Sequence, residues 1–294
     1  MSTTNTLRSQ QLKASAKNGR GLGRSVSAAV GRLVLFGGAI LVVLPFVYAL
    51  STSFKARYDV FKIPMEWIPG AIHFENYTHP FESQPIGRYF LNSAFVAALV
   101  TILNVLTCSM AGYSFAKFHY RGRSVLFLVV LSTLMVPIQV IIVPLFVLVK
   151  ALGWVNTYTG LILPAGTSAF GVFLMRQYFL GIPNDFIDAA RIDGSSEFGI
   201  FWRIMLPLVR PALTALTIFI FMNNWNSFLW PLLVVTKEEL MTLPVGIAGF
   251  ESAYSTNYGE LMAVSVMAMV PVFLVFIVLQ RQFIEGMALS GLKQ

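Results

Sequence analysis

Apolar positions along this chain gather into long runs separated by shorter polar breaks, and the runs are about as long as a helix needs to cross the ~30 Å hydrocarbon core of a bilayer. Hydropathy predicts six spans, at residues 33–53, 90–115, 125–149, 158–178, 212–235 and 261–280. No successive segments alternate strictly between apolar and polar positions, so strands are not expected, and no repeat of 20 to 50 residues is visible. The expected fold is all-α: six transmembrane helices with a polar loop between the fourth and fifth.

Composition supports a single membrane domain. The 294 residues are 56% hydrophobic, 14% aromatic and 12% charged, far from ordinary soluble usage. The expected organisation is a tail over residues 1–32, a six-helix domain over 33–284 and a second tail over 285–294. The net charge of +8 is unevenly placed. Fifteen of the 21 basic residues fall on one side of the predicted spans: Arg8, Lys13, Lys17, Arg20, Arg24, Arg32, Lys117, Arg121, Arg123, Arg176, Arg191, Arg203, Arg210, Arg281 and Lys293. Lys55, Arg57, Lys62, Arg88, Lys150 and Lys237 fall on the other. Positive residues are retained on the cytoplasmic side, so both termini and the 183–211 loop are expected there, in a bacterial inner membrane. The charge is a topology signal; no folded basic domain with stacking aromatics suggests nucleic acid.

The first thirty residues are rich in Ser, Thr and Lys and poor in large apolar residues, the composition of a mobile tail. The run starting at Leu33 exceeds the 7–15 residues of a signal-peptide core, which favours an uncleaved anchor over a signal peptide. Cys108 is the one cysteine, so no intramolecular disulfide forms and packing is its expected role. All 13 acidic residues lie outside the predicted spans, Glu260 at the border of the sixth. Ion-driven carriers usually keep an ionisable residue at membrane depth. Nor is there a G-x-x-x-x-G-K-[ST] loop to hold nucleotide phosphates. Uphill transport by such a chain would draw its energy from another polypeptide.

The polar island PNDFIDAARIDGSSEFGIFWRIMLPLVRP, residues 183–211, is punctuated by Pro183, Gly194 and Pro207. It predicts two short helices, 184–193 and 196–205, with Ser195 or Ser196 as N-cap, Glu197 in a first turn and Gly194 at the reversal. Phe186, Ala189, Ala190 and Asp193 share a face at i+3/i+4 spacing, as do Phe198, Phe201, Trp202 and Met205. A pair of amphipathic helices lying on the bilayer surface has the same pattern.

Asp188-Ala189-Ala190, Gly194, Ile204, Leu206 and Pro207 match, gap for gap, a loop signature written EAA-x3-G-x9-I-x-LP. The chain thereby resembles the integral membrane subunits of binding-protein-dependent ATP-binding-cassette importers. Asp188 stands where that family usually has Glu, which keeps the charge and shortens its reach. AGYSFAKFHYRGR (111–123), LMVPIQVIIVPLF (134–146), WNSFLWPL (225–232), TLPVGI (242–247) and LQRQFIEGMALSGLK (279–293) are similar to segments of its carbohydrate, maltose-permease-like branch. The resemblance implies a helical pore shared with a second, related membrane subunit, two cytoplasmic ATPases that bind ATP and Mg, and an external solute-binding protein. It implies no cofactor on this chain. In such an assembly the 183–211 loop would couple the ATPases to the pore.

Substrate contacts are sought among polar residues inside the spans. On a continuous helix Asn223, Asn226 and Trp230 share one face at i, i+3 and i+7, while Asn224 and Trp225 point elsewhere. Amides hydrogen-bond sugar hydroxyls and an indole covers the apolar face of a ring. Amides also join helices to one another, at ~0.6 kcal/mol per bond, and both roles fit these residues. Gln139, between Pro137 and Pro144, is a further candidate. Residues 55–88, with Trp67, Pro69 and Pro85, and 236–259, with Phe250, Tyr254 and Tyr258, are long enough for external docking segments. His73 and His79 have no accompanying ligand cluster, so no metal site is expected. His119 belongs to the basic turn. No convergent nucleophile, base or ligand set points to catalysis.

Overall fold

A computed structural model describes the backbone over residues 30–250 and 257–291, with side chains through residue 281. Most of the expected N-terminal tail, Tyr254, and 292–294 of the expected C-terminal tail lie outside the described residues. Every element among the described residues is helical.

Among the described residues three helices are long and apolar enough to cross a membrane: α1 (Val30–Thr52), α3 (Ile86–Lys117) and the last helix, α14 (Tyr258–Gly291). Three helix pairs meet that standard only when each is taken as one bent span. The first joins α4 (Arg123–Ser132), with its tight turn Thr133–Met135, to α5 (Ile138–Ala151) at 104°. The second joins α6 (Tyr158–Ile162), with the turn Leu163–Ala165, to α7 (Ala169–Leu180) at 43°. The helices thus supply at least three spans and up to six.

The predicted third span, 125–149, is not continuous. Pro137 has no N–H to carry a helix through and forces Val136 before it into extended backbone, φ −92° and ψ 114°, so the chain turns there. Nor is the predicted fifth span, 212–235, one helix. The chain leaves α7 into α8 (Asp185–Ile192), α9 (Glu197–Ile200), a π-helical turn (Phe201–Met205) and a single turn, α10 (Leu206–Leu208). It then bends 80° at Val209 into α11 (Arg210–Trp225), and after a break at 226–228 continues as α12 (Leu229–Val234).

The centre of the bundle is α3. Its buried face carries Ser93, Ala97, Val100, Asn104, Cys108 and Gly112, at three- and four-residue steps. A Cβ on Gly112 would lie 2.6 Å from the Met175 Cβ and 2.8 Å from the Arg176 backbone nitrogen, and one on Gly171 would lie 2.7 Å from the Cys108 sulfur. Between helices in lipid, where burial against water drives nothing, such close backbone approach replaces the hydrophobic effect as the source of packing energy. Cys108 is fully buried and reduced, as a packing residue would be.

Around this axis, α11 packs on α3 and on α14, where Trp225 stacks on Phe221 and donates its indole N–H to the Ala268 carbonyl at 3.0 Å. The segment 55–88 is folded. Asn76, on α2 (Glu75–Ser83), bonds the carbonyls of Ser53 and Lys55 at 2.9 Å each, and His79 reaches Glu260 at 2.9 Å. A short α13 (Leu243–Ala248) fits beneath Tyr89 of α3. By contrast α1 leaves Leu33, Leu35 and Leu41 more than two-thirds exposed, and only its last turns are covered, where Tyr48 meets Trp67 edge-on at 5.4 Å. The last helix keeps helical backbone to Gly291, through residues expected to be a tail.

Candidate functional site: a looped helix pair and a cavity at the helix breaks

The 183–211 island folds as punctuated. Gly194 takes φ +78°, a left-handed conformation that favours glycine, and reverses the chain between α8 and α9. Ser196, not Ser195, caps α9: its backbone is extended and its hydroxyl accepts the Gly199 N–H at 3.2 Å. Arg191 ties the two helices across the turn, donating to Glu197 at 2.7 Å and lying 3.4 Å from Asp188. Its guanidinium is held further above its ordinary pKa by the Glu197 hydrogen bond. Asp188 therefore has its partner one turn along its own helix, and remains 63% exposed.

The buried face of this segment differs from the expected one. Ile187 and Ala190 of α8, then Ile200, Phe201, Met205 and Val209, enter the bundle core, with Phe201 against Tyr113 at 5.2 Å. The pair is thus seated in the bundle instead of lying free on a surface. Phe186, Ala189, Asp193 and Ile204 line a shallow external groove, and Phe198, whose spacing puts it on one face with Phe201 and Met205, is 68% exposed, as Ile192 is at 87%. At the entry Lys117, the last residue of α3, donates to the Ile182 carbonyl at 2.6 Å and to Asn184 at 2.8 Å. At the exit Pro207 and the 80° elbow lead straight into α11. The island is anchored at both ends to helices that continue into the membrane domain.

Those helices lead to a cavity of about 330 Å3. Its wall takes Ile138 from just beyond the break at Pro137, Ala165, Thr167 and Ser168 from the break before α7, Asn223 and Asn224 from the last turn of α11, and Ser227 from the break after it. Ser93 and Asn104 of α3, Trp230 and Thr242 complete its polar part. Interrupted helices are tolerated at membrane depth where they line a cavity, because the freed backbone groups need polar neighbours.

The structure separates residues that a continuous helix would align. Asn223 and Trp230 line this cavity. Asn226 does not: α11 ends at Trp225, and Asn226 faces a second cavity beside Leu243 and Ser265. Its side-chain amide bonds back to the Met222 carbonyl at 2.8 Å, closing the helix end. Asn224, expected to point elsewhere, is on the wall, while Trp225 is buried against α14. Gln139 is exposed and off the wall, its place taken by Ile138. Ser93, Asn104, Thr167, Ser168, Ser227 and Thr242 were missed by sequence reasoning; the one signal was that all of these but Thr242 are polar residues inside predicted spans. Among the described residues no group of three or more His, Cys, Asp and Glu could hold a metal ion.

A helical membrane domain with broken spans converging on a polar cavity, and a structured polar loop continuous with one of them, has the architecture of a transport subunit. Residues 104–288 match the family described as binding-protein-dependent transport system inner membrane component, and the chain belongs to that family. It is 40% identical over 258 residues to the arabinooligosaccharides transport system permease protein AraQ of Halalkalibacterium halodurans, covering 87% of this chain and 92% of that one. It is 36% identical over 268 residues to the diacetylchitobiose uptake system permease protein NgcG of Streptomyces coelicolor, covering 90% and 88%. Its fold is that of a chain in the crystal structure of a bacterial ABC transporter that imports the acidic polysaccharide alginate, with TM-score 0.79, 23% identity and coverage of 88% and 96%.

Proposed function

We propose that this chain is a pore-forming permease subunit of an ATP-driven importer in the inner membrane, passing a sugar, oligosaccharide or polyol derivative handed to it by an external solute-binding protein. The family match over residues 104–288 carries this reading, and the sugar-uptake relatives give the substrate class. ATP and Mg belong to two copies of a cytoplasmic ATPase, which supply the energy this chain has no loop to capture. A second, homologous membrane subunit completes the pore. The bare apolar length of α1 supports it, since a helix unpacked against its own bundle is free to pack against a neighbour.

In this reading both termini and residues 183–211 are cytoplasmic, and the island is the coupling lever. Asp188, Ala189 and Gly194 form the part offered to the ATPase, with exposed Ile192 and Phe198 as apolar contacts beside the Arg191 clamp, while Ala190, expected with them, is buried and seats α8 on the bundle. Ile204, Leu206 and Pro207 form the stem that joins α11. When ATP draws the two ATPases together, the lever moves with its ATPase. The elbow at Val209 then turns that displacement into a tilt of α11, whose far end is the break beside the cavity. A ligand shifts such an equilibrium only by binding its two states differently, and nucleotide on the ATPases supplies that difference here.

Reconstitution tests this. The purified chain alone should hydrolyse no ATP, whereas vesicles holding it with its ATPase, partner subunit and loaded binding protein should take up an oligosaccharide only when ATP is supplied. Uptake driven by an ion gradient without ATP would contradict the proposal.

A further inference from the structure

The cavity at the helix breaks has a chemistry more specific than its place in a pore requires. Among the described residues that line it there is no ionisable side chain. Its polar groups instead offer both donors and acceptors. Asn223 makes no side-chain hydrogen bond among the described residues, leaving a whole amide free, and the Asn224 amide donates to Ile220 at 2.8 Å while its carbonyl oxygen stays available. Ser93 and Ser168 accept backbone N–H groups, from Leu243 at 2.7 Å and Gly171 at 3.3 Å, so each hydroxyl proton remains to be donated. Trp230 is held on the wall by its indole N–H, which donates to the Gly160 carbonyl at 3.1 Å, so its ring is pre-positioned.

We infer that this cavity is a subsite on this chain for a neutral, hydroxyl-rich sugar unit, and that it excludes anionic sugars. The inference rests on the carbohydrate reading above and narrows it. A hydroxyl both donates and accepts, which is the mixture the wall presents, and a fixed indole covers the apolar face of a sugar ring. The volume of about 330 Å3 lies at the small end of the roughly 300–1,000 Å3 usual for ligand pockets. That suits a short stretch of a linear oligosaccharide. A carboxylate or phosphate brought here would lose water and find no cation on this wall, so its charge would go uncompensated.

The test uses the complete assembly in vesicles, with its binding protein, and three labelled probes: diacetylchitobiose, short arabinooligosaccharides and oligouronates of matched length. The wild-type assembly should import neutral probes and not the oligouronates. Because the binding protein also selects, the deciding comparison keeps it constant and changes this chain. Asn223→Asp, which places a carboxylate on the wall at nearly unchanged volume, should cut uptake of the imported neutral probe at least tenfold. Asn223→Gln, which keeps the amide, should stay within threefold, and complex yield and melting temperature should not move in either. Ser227→Asp gives a second, independent position with the same expectation. Import of oligouronates in preference to neutral probes, or unchanged uptake by both aspartate variants, would overturn the subsite. Import of no probe by an assembly that still hydrolyses ATP would overturn the carbohydrate reading and this inference with it.

Discussion

The island at 183–211 and the cavity at the helix breaks solve opposite problems. The island is one contiguous stretch, charged and partly exposed, and its shape is held by local devices: a left-handed glycine, a serine cap, and an arginine bridging two short helices. The cavity is uncharged, and its polar wall is gathered from positions as far apart as Ser93 and Thr242. Local devices fix the turn of the island, and Ile187, Ile200, Phe201 and Met205 seat it on the bundle core. The cavity's walls are the ends of broken helices, so its shape follows wherever α11 and its neighbours are placed. The two regions meet in α11, entered through the elbow at Val209 and ended by the break at 226–228.

Breaking the turn of the island should have the largest effect. Open space surrounds the Gly194 Cα, so an added Cβ meets no clash and the whole cost of substitution is the positive φ. Gly194→Val, with a branched side chain forced into that region, should cost about 1–3 kcal/mol. ATPase co-purification and ATP-driven uptake should fall by roughly 5- to 150-fold, since each 1.4 kcal/mol is a factor of ten. Gly194→Asn should retain most of both, because Asn tolerates the left-handed region. Equal loss in the two variants would mean that side-chain size, not backbone geometry, sets this position.

The smallest effect is expected where the two cavities diverge. Asn226→Leu removes a bond from an exposed amide to the Met222 carbonyl, worth about 1 kcal/mol. The melting temperature should drop by no more than about 4 °C, and uptake should stay within about twofold, as for surface changes away from a site. A large loss of uptake at Asn226 with none at Asn223 would move the pathway to the cavity beside Leu243.

The same contrast explains what could be read from sequence. Gly194, Pro207 and the spacing from Asp188 to Leu206 are neighbours in the chain, so their geometry is dictated by nearby backbone and was legible in advance. The partner of Asp188 was not, because three- and four-residue neighbours on a helix compete with partners elsewhere. In the cavity, hydropathy counts apolar residues and passes smoothly across 125–149, although Pro137 turns the chain by 104° within it. At 226–228 no proline marks the break, and a helical wheel drawn through it put Asn226 beside Trp230 when the two line different cavities. The exposure of α1 is equally invisible in sequence. An apolar helix has the same composition whether its own bundle, a partner or lipid covers it.

In the proposed assembly the exposed tip of the island touches the ATPase, and site-directed crosslinking at Ile192 reads that contact. Ile192 is 87% exposed at the end of α8, so Ile192→Cys should leave the fold intact and present a thiol at the proposed contact. Cys108, the single native thiol, is fully buried and should stay unreactive. In the assembled complex a short thiol-to-amine crosslinker should join this chain to the ATPase, with Leu128→Cys, 66% exposed on the membrane helix α4, giving no such product. An intact complex in which Ile192→Cys yields no ATPase adduct, or no more than Leu128→Cys, would contradict the account.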